Sequence, residues 1–208
     1  MFIFMQIKKE EIRQRILEIA CDEFIINGFR NASLRVIAGK SSIALANIYN
    51  YFKNKDELFT EVVQPVLDAI NDLLTKHNND EKLTTEYFYS AEQQHRELVR
   101  MVDMIEKHRE GLSLLLFKSA GSSQENFREQ LTRKSMSMGQ EYLVKMKEKY
   151  PEISIDVSPF FLHFMSSMWL NIMSEIVVHT LTHEQITKFF SEYIKFGTAG
   201  WRELMKTE

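Results

Sequence analysis

The stretch SLRVIAGKSSIALANIYNYFKNKDELF, residues 33–59, decides how the chain is read. Ser33 is a residue type whose hydroxyl accepts a backbone N–H at the start of a helix. Leu34, Ile37 and Ala38 then recur at the spacing of one helical face. Gly39 and the pair Ser41-Ser42 stop that helix after two turns. Ile43 and Ile48 point back at the same small core, and Phe52 closes it. Asn54 caps a long helix, and Glu57 is placed as the return half of a capping box. Left outside are aromatic, amide and basic groups that a core does not need.

Two short helices joined by a tight corner match a helix-turn-helix, in which the second helix enters the DNA major groove. Here that helix is Ala44–Asn50. Its outward side carries Ala44, Leu45, Ala46, Asn47 and Asn50. An asparagine can pair bidentately with adenine, and small apolar groups can touch a thymine methyl. Tyr49 and Tyr51 offer hydroxyls to phosphate oxygens, which set register rather than sequence preference. Lys55 lies in the first turn of the following helix, where free N–H groups already favour an anion. Lys53 adds charge nearby, and Ser33 and Arg35 are placed to hold the opposite phosphate wall. A plain three-helix packing unit with solvated polar residues is the other reading of this pattern.

Residues 8–59 resemble the N-terminal domain of the TetR family of bacterial transcriptional regulators. The likeness rests on Gly28-Phe29, Ser33-Leu34-Arg35, Ile37-Ala38, Ile48-Tyr49, Tyr51-Phe52, Lys55 and Glu57-Leu58, in matching order and spacing. It implies that Ala44–Asn50 is the recognition helix and that Tyr49 and Lys55 hold the DNA backbone. It also implies a homodimer joined by its last two helices as an intersubunit four-helix bundle. A repressor that leaves its operator when a small molecule enters the larger domain is the implied function. Three positions depart from the family pattern. Ser42 stands where glycine is usual at the corner, Ala44 where a capping serine is common, and Leu45 where a basic residue is common. Weaker electrostatic attraction or a T-rich operator would follow.

Composition agrees with a small basic head on an acidic body. The net charge is −3, yet residues 1–60 hold 9 Lys and Arg against 7 Asp and Glu, and the remainder holds 17 against 22. The 208 residues are 44% hydrophobic and 26% charged, as in a globular protein with a real core. Seven Gly and 3 Pro leave little room for an all-β fold. Cys21 is the single cysteine, which excludes an internal disulfide and fits a reducing compartment, here the cytoplasm. MFIFMQIKKEE lacks the order and length of a secretory leader, and either Met1 or Met5 can serve as the start. Phe160–His179 is the best candidate for a membrane span, but Glu175 inside it makes a buried helix the better reading, with no membrane partner.

Helical periodicity runs through the rest. Ile12, Ile16, Ile19, Ala20 and Phe24 form one stripe, ended by Asn27-Gly28. The helix after Asn54 carries Leu58, Val62, Val66, Ile70 and Leu73, with Pro65 inside it, which should bend its axis. Past KHNNDEKL, helices are expected near 84–108, 110–118, 124–149, 159–180 and 183–206. Ser158-Pro159, and the capping box of Thr182 and Gln185 with its Leu181–Ile186 staple, mark two of the starts. The expected fold is all-α with about nine helices: a helix-turn-helix domain over 1–55, and an effector-binding and dimerisation domain over 56–208.

A possible cavity wall is read from Phe88, His95, Leu98, Val99, Met101, Val102, Ile105, Leu116, Phe117, Phe127, Leu131, Met138 and Tyr142, with Phe164 and Met168 from the later helix. Of these, His95, Val99, Met101, Val102, Phe117, Phe127, Leu131, Met138, Phe164 and Met168 are the candidate effector contacts. The segment 159–206 is apolar on more than one side and must bury two faces. Phe161, Met165, Ile172, Ile176, Phe190, Tyr193, Gly197 and Trp201 are the expected dimer interface. No metal-ligand pair, no cofactor motif and no Ser–His–acid set is legible. The expectation is therefore a non-enzyme with operator DNA, a second copy and a small-molecule effector as partners. A helical adaptor that binds only protein is the alternative.

Overall fold

The computed structural model describes residues 2–77 and 83–206, and among them it contains nine α-helices and no strand. They are α1 Phe2–Asn31, α2 Leu34–Lys40, α3 Leu45–Ile48, α4 Lys55–His77, α5 Ala91–Lys107, α6 Arg109–Ser113, α7 Phe127–Lys149, α8 Pro159–Val178 and α9 His183–Met205. A single 3-10 turn, Thr85–Phe88, precedes α5, so the helix expected over 84–108 is two pieces. Ser90 explains the break, because its hydroxyl accepts the N–H of Gln93 and starts α5 afresh. α6 passes into a wider π-turn over Leu114–Lys118. Most of KHNNDEKL and the choice between Met1 and Met5 lie outside the described residues.

The chain divides into two compact units. The first is Met1–Leu67 with Glu110–Phe127, and the second is Asp68–Arg109 with Arg128–Glu208. The first unit thus extends past residue 55 and takes in a segment far along the chain.

In the first unit the local signals in the sequence set the elements. Gly28 has φ 69° and ψ 166°, a conformation open essentially to glycine alone, and it breaks α1 before its last turn. Ser33 Oγ caps α2 by accepting the N–H of Val36. Ser42 holds φ 57°, so the corner does use the left-handed conformation that glycine would adopt without strain. Ala44 stands at the start of α3 without a side-chain cap. Asn54 Oδ1 accepts the N–H of Glu57 at 2.8 Å. The Glu57 carboxylate reaches the N–H of Lys53 rather than that of Asn54, one residue off the expected capping box.

The core of this unit is Ile16, Ala20, Phe24, Ile37, Ile48, Leu58 and Phe59, all fully buried, with Phe52 beside them. Phe24 meets Phe59 edge-on at 5.0 Å between centroids, and Phe29 meets it at 5.2 Å. Each such side chain stabilises the fold by about 1.5–3 kcal/mol. Leu112, Leu114 and Leu115, from the later segment, are equally buried. Gly111 is required there: a Cβ would lie 2.7 Å from Val66 Cγ1 of α4. Arg13 of α1 pairs with Glu61 of α4, and its guanidinium lies 5.5 Å from the centroid of the Phe52 ring.

In the second unit α5 lies along α9, and the 3-10 turn touches both. The capping box at Thr182 and Gln185 forms in both directions, and Ser158 Oγ accepts the N–H of Phe161. Arg109 donates to the carbonyls of Ile176 and Leu181, which fixes the end of α8. Arg128 donates to Ser174 Oγ and Asn171 Oδ1 further back on that helix.

Candidate functional site

Ile48 is fully buried and anchors α3, while Ala44, Ala46, Asn47 and Asn50 are exposed and Leu45 is half-buried. Tyr49 is 53% exposed, so its hydroxyl is available to an outside partner. Backbone bonds from Tyr51 and Phe52 N–H to the carbonyl of Ile48 carry the turn past the end of α3 and hold 49–52 against the core. Arg35 and Lys53 are exposed, and Tyr51 is half-buried with Lys9 Nζ 5.9 Å from its ring centroid. Lys9, on α1, was not anticipated at this edge.

Two predicted contacts are used by the fold itself. Lys55 Nζ donates to the carbonyls of Arg30 and Ala32 and lies 4.7 Å from the Phe29 ring centroid. Partial burial lowers its pKa. Its ammonium therefore ties the end of α1 to the start of α4, which limits what it can offer a phosphate. The Ser33 hydroxyl is spent as a cap. Beneath both lies Glu23, 4% exposed, a residue that the sequence reading passed over. It accepts from Asn27 Nδ2 at 3.0 Å and the Ser33 N–H at 3.2 Å, and Lys40 Nζ is 3.9 Å away. No periodic pattern marks it, because a carboxylate on an apolar stripe reads as a solvated residue.

The second unit holds a cavity of about 240 Å³. Tyr193, Gly197, Thr198 and Trp201 of α9, Gly139 and Tyr142 of α7, Met165 of α8, Met101 of α5 and Tyr87 and Phe88 of the 3-10 turn are among its walls. A Cβ on Gly197 would meet nothing within 4 Å, so the missing side chain there is part of the void. Burial pushes the phenols of Tyr87 and Tyr142 up to about 12, aided at Tyr87 by Glu97 and the other two phenols, and it raises Tyr193 as well. All three are neutral hydrogen-bonding groups near pH 7. The thiol of Cys21, in the first unit, is pushed up to about 11 by burial and by Glu110, which makes it a poor nucleophile.

The expected effector contacts do not come together. Met101 reaches the cavity, as do Phe88 and Tyr142 from the wider set. Val102 and Leu131 are core residues, and Met138 and Met168 are half-buried. Phe117 and Phe127 belong to the first unit. His95 and Val99 are exposed on the outer stripe of α5, and Phe164 is 53% exposed. The interface set is likewise redistributed. Phe190 and Ile176 are buried in their own chain, and Met165, Tyr193, Gly197 and Trp201 line the cavity. Phe161 and Ile172 are half-buried. The exposed large apolar groups of α8 and α9 are instead Phe160, Phe164, Val178 and Phe196. α8 is long and apolar enough to cross a membrane, yet only 28% of its most apolar window is buried within the chain. Among the described residues no group of acidic, histidine or cysteine side chains could hold a metal ion.

An exposed short helix on a capped three-helix core, carried with a helical body, defines a helix-turn-helix domain. Residues 16–62 match the family model for bacterial regulatory proteins of the tetR family. YdgC of Bacillus subtilis (strain 168), an uncharacterized HTH-type transcriptional regulator, is 34% identical over 59 residues. That stretch is 28% of this chain and spans only 30% of the relative. Among solved structures, FadR of Bacillus subtilis in complex with stearoyl-CoA aligns with a TM-score of 0.63 at 14% identity, over 90% of this chain and 98% of that one. NalD, the secondary repressor of the MexAB-OprM multidrug efflux pump in Pseudomonas aeruginosa, aligns at 0.61 and 17%, over 91% and 96%. At these identities the likeness is one of fold.

Proposed function

We propose that the protein is a ligand-responsive transcriptional repressor that binds a palindromic operator as a homodimer. The exposed edge of α3, with Asn47, Tyr49 and Asn50 held outward by a buried Ile48, carries the reading. Asn47 and Asn50 read base edges, Tyr49 and Tyr51 meet phosphates, and Lys9, Arg35 and Lys53 supply the attraction. Residues 1–55 are the DNA-reading part and 56–208 the effector and dimer part. Phe160, Phe164 and Phe196 are large apolar groups exposed on α8 and α9, and a second copy laid against these helices as a four-helix bundle would cover them. Two recognition helices then stand about one turn of DNA, near 34 Å, or a multiple of it apart.

A small molecule in the cavity shifts the dimer toward a head separation that no longer fits two major grooves. This requires a preference for that state of a few kcal/mol. Helix α4 runs through both units, with Pro65 just before their division, and serves as the lever.

The test is binding to duplex DNA from upstream of its own gene, with footprinting. Two protected half-sites related by a dyad are expected, with affinity falling steeply as salt rises. Asn47→Ala should cost about 1–3 kcal/mol and relax specificity at one base pair. A single half-site would refute the dimeric operator. No shift of any promoter fragment would favour a protein-binding adaptor.

A further inference from the structure

We infer that the cavity of the second unit takes a small uncharged molecule of one or two aromatic rings bearing a hydroxyl or carbonyl group. The inference rests on the regulator reading and names the chemical class of its effector. Size comes first. A cavity of about 150 Å³ accommodates one benzene ring. By that measure about 240 Å³ holds roughly ten heavy atoms, fewer than the eighteen carbons of a stearoyl chain alone.

Charge comes second. Among the described residues, no Asp, Glu, Lys, Arg or His lines the cavity. An ion placed there would lose its hydration without a partner in the wall. Glu97 is 6% exposed, acts on Tyr87 and is ion-paired with Arg100 at 3.6 Å. That pairing with Arg100 leaves Glu97 little net charge to offer a cation in the cavity.

The third element is what the wall does offer. Three phenols, Tyr87, Tyr142 and Tyr193, meet an otherwise apolar surface that includes Met101, Met165 and Trp201. Thr198 lines it too, but its hydroxyl donates to the Ile194 carbonyl at 2.8 Å. The phenols stay protonated, and Tyr87 and Tyr193 can each donate to a neutral oxygen or accept from a hydroxyl. Rings favour offset or edge-on aromatic partners, and thioethers favour ring edges. A flat ring system with one polar oxygen satisfies both sides of this wall.

Calorimetric titration of the full chain with 1-naphthol, 1-naphthoate, trimethyl(1-naphthyl)ammonium and stearoyl-CoA tests the inference. The expected order has 1-naphthol at least about 30-fold tighter than each of the charged probes, since an unpaired buried charge is penalised heavily. Gly197→Leu fills the void from a position with no atom to strike, and should abolish 1-naphthol binding while leaving the thermal transition and operator binding in place. Tyr193→Phe should weaken binding about 5-fold through loss of one hydrogen bond. Naphthoate or stearoyl-CoA binding as tightly as naphthol would overturn the inference. So would no heat from naphthol, or naphthol binding that survives Gly197→Leu. Failure of the regulator reading looks different: the cavity binds naphthol, and the chain shifts no DNA.

Discussion

The two units use the same residue types toward opposite ends. In the first, Phe24, Phe29, Phe52 and Phe59 are shut away at 7% exposure or less, and the rings meet edge-on or stacked. In the second, Phe190 is buried as deeply, but many aromatic groups line a void or face outward: Tyr87, Tyr142, Tyr193 and Trp201 around the cavity, and Phe160, Phe164 and Phe196 on the surface. A core at crystal-like density transmits force and keeps a recognition helix in register. A unit with unfilled space and uncovered apolar surface has affinity left for other molecules. The difference separates the part that must hold its shape from the part that must respond.

Paired truncations break this contrast most forcefully. Phe24→Ala removes a fully buried ring from the first unit and should cost about 3–5 kcal/mol of unfolding free energy. Phe164→Ala removes an equally large ring that is half in water, and should cost about 0.5 kcal/mol or less in the monomer while weakening self-association. Denaturant titration with sedimentation at several concentrations separates the two effects. Equal losses of folding stability would mean that the units do not differ as described.

Glycines sharpen the comparison at smaller scale. Gly111→Ala places a methyl 2.7 Å from Val66 Cγ1 in the first unit, and overpacking there should cost about 1–3 kcal/mol. Gly197→Ala adds the same methyl on α9 where nothing lies within 4 Å. With no clash to oppose it, the better helix propensity of alanine should raise stability by about 0.5–1 kcal/mol. Opposite signs for one chemical change, read by thermal unfolding, are the expected result.

The same contrast governs what the amino-acid sequence discloses. Capping and corner signals act over three or four residues, so Ser33, Asn54, Ser158 and the Thr182–Gln185 box are legible, and each forms in the structure. The exposed side of α3 follows from Ile48 alone, since a four-residue helix has only one way to bury it. Lys55 misleads because its two carbonyl partners, Arg30 and Ala32, are more than twenty residues away. In α8 and α9 the trouble is the reverse. Apolar residues surround the helices, so periodicity cannot say which stripe faces the chain's own core. Phe190 and Ile176 look no different from Phe196 and Phe164 until the neighbours are placed. His95 misleads for a related reason: one turn away, Leu98 and Val102 are buried, but His95 and Val99 fall on the next stripe round.

The smallest effect lies at the corner of the helix-turn-helix, where the tight unit carries its own strain. Ser42 holds φ 57°, its N–H donating to the Gly39 carbonyl at 3.1 Å, and its side chain is exposed. The left-handed conformation costs a non-glycine residue about 1–2 kcal/mol. Glycine removes that cost but loses more backbone freedom on folding, about 0.5–1 kcal/mol. The two terms leave a net gain near 0.5 kcal/mol for Ser42→Gly, or a rise of about 1–2 °C in the midpoint for a chain of this size. Because the exposed hydroxyl makes no contact that positions α3, operator affinity should stay within about 2-fold of the parent, a change of roughly 0.4 kcal/mol. A loss of stability would mean that the hydroxyl holds the corner. A large change in affinity at unchanged stability would place Ser42 at the DNA surface itself, and the rigid half of the molecule would then extend its contacts beyond α3.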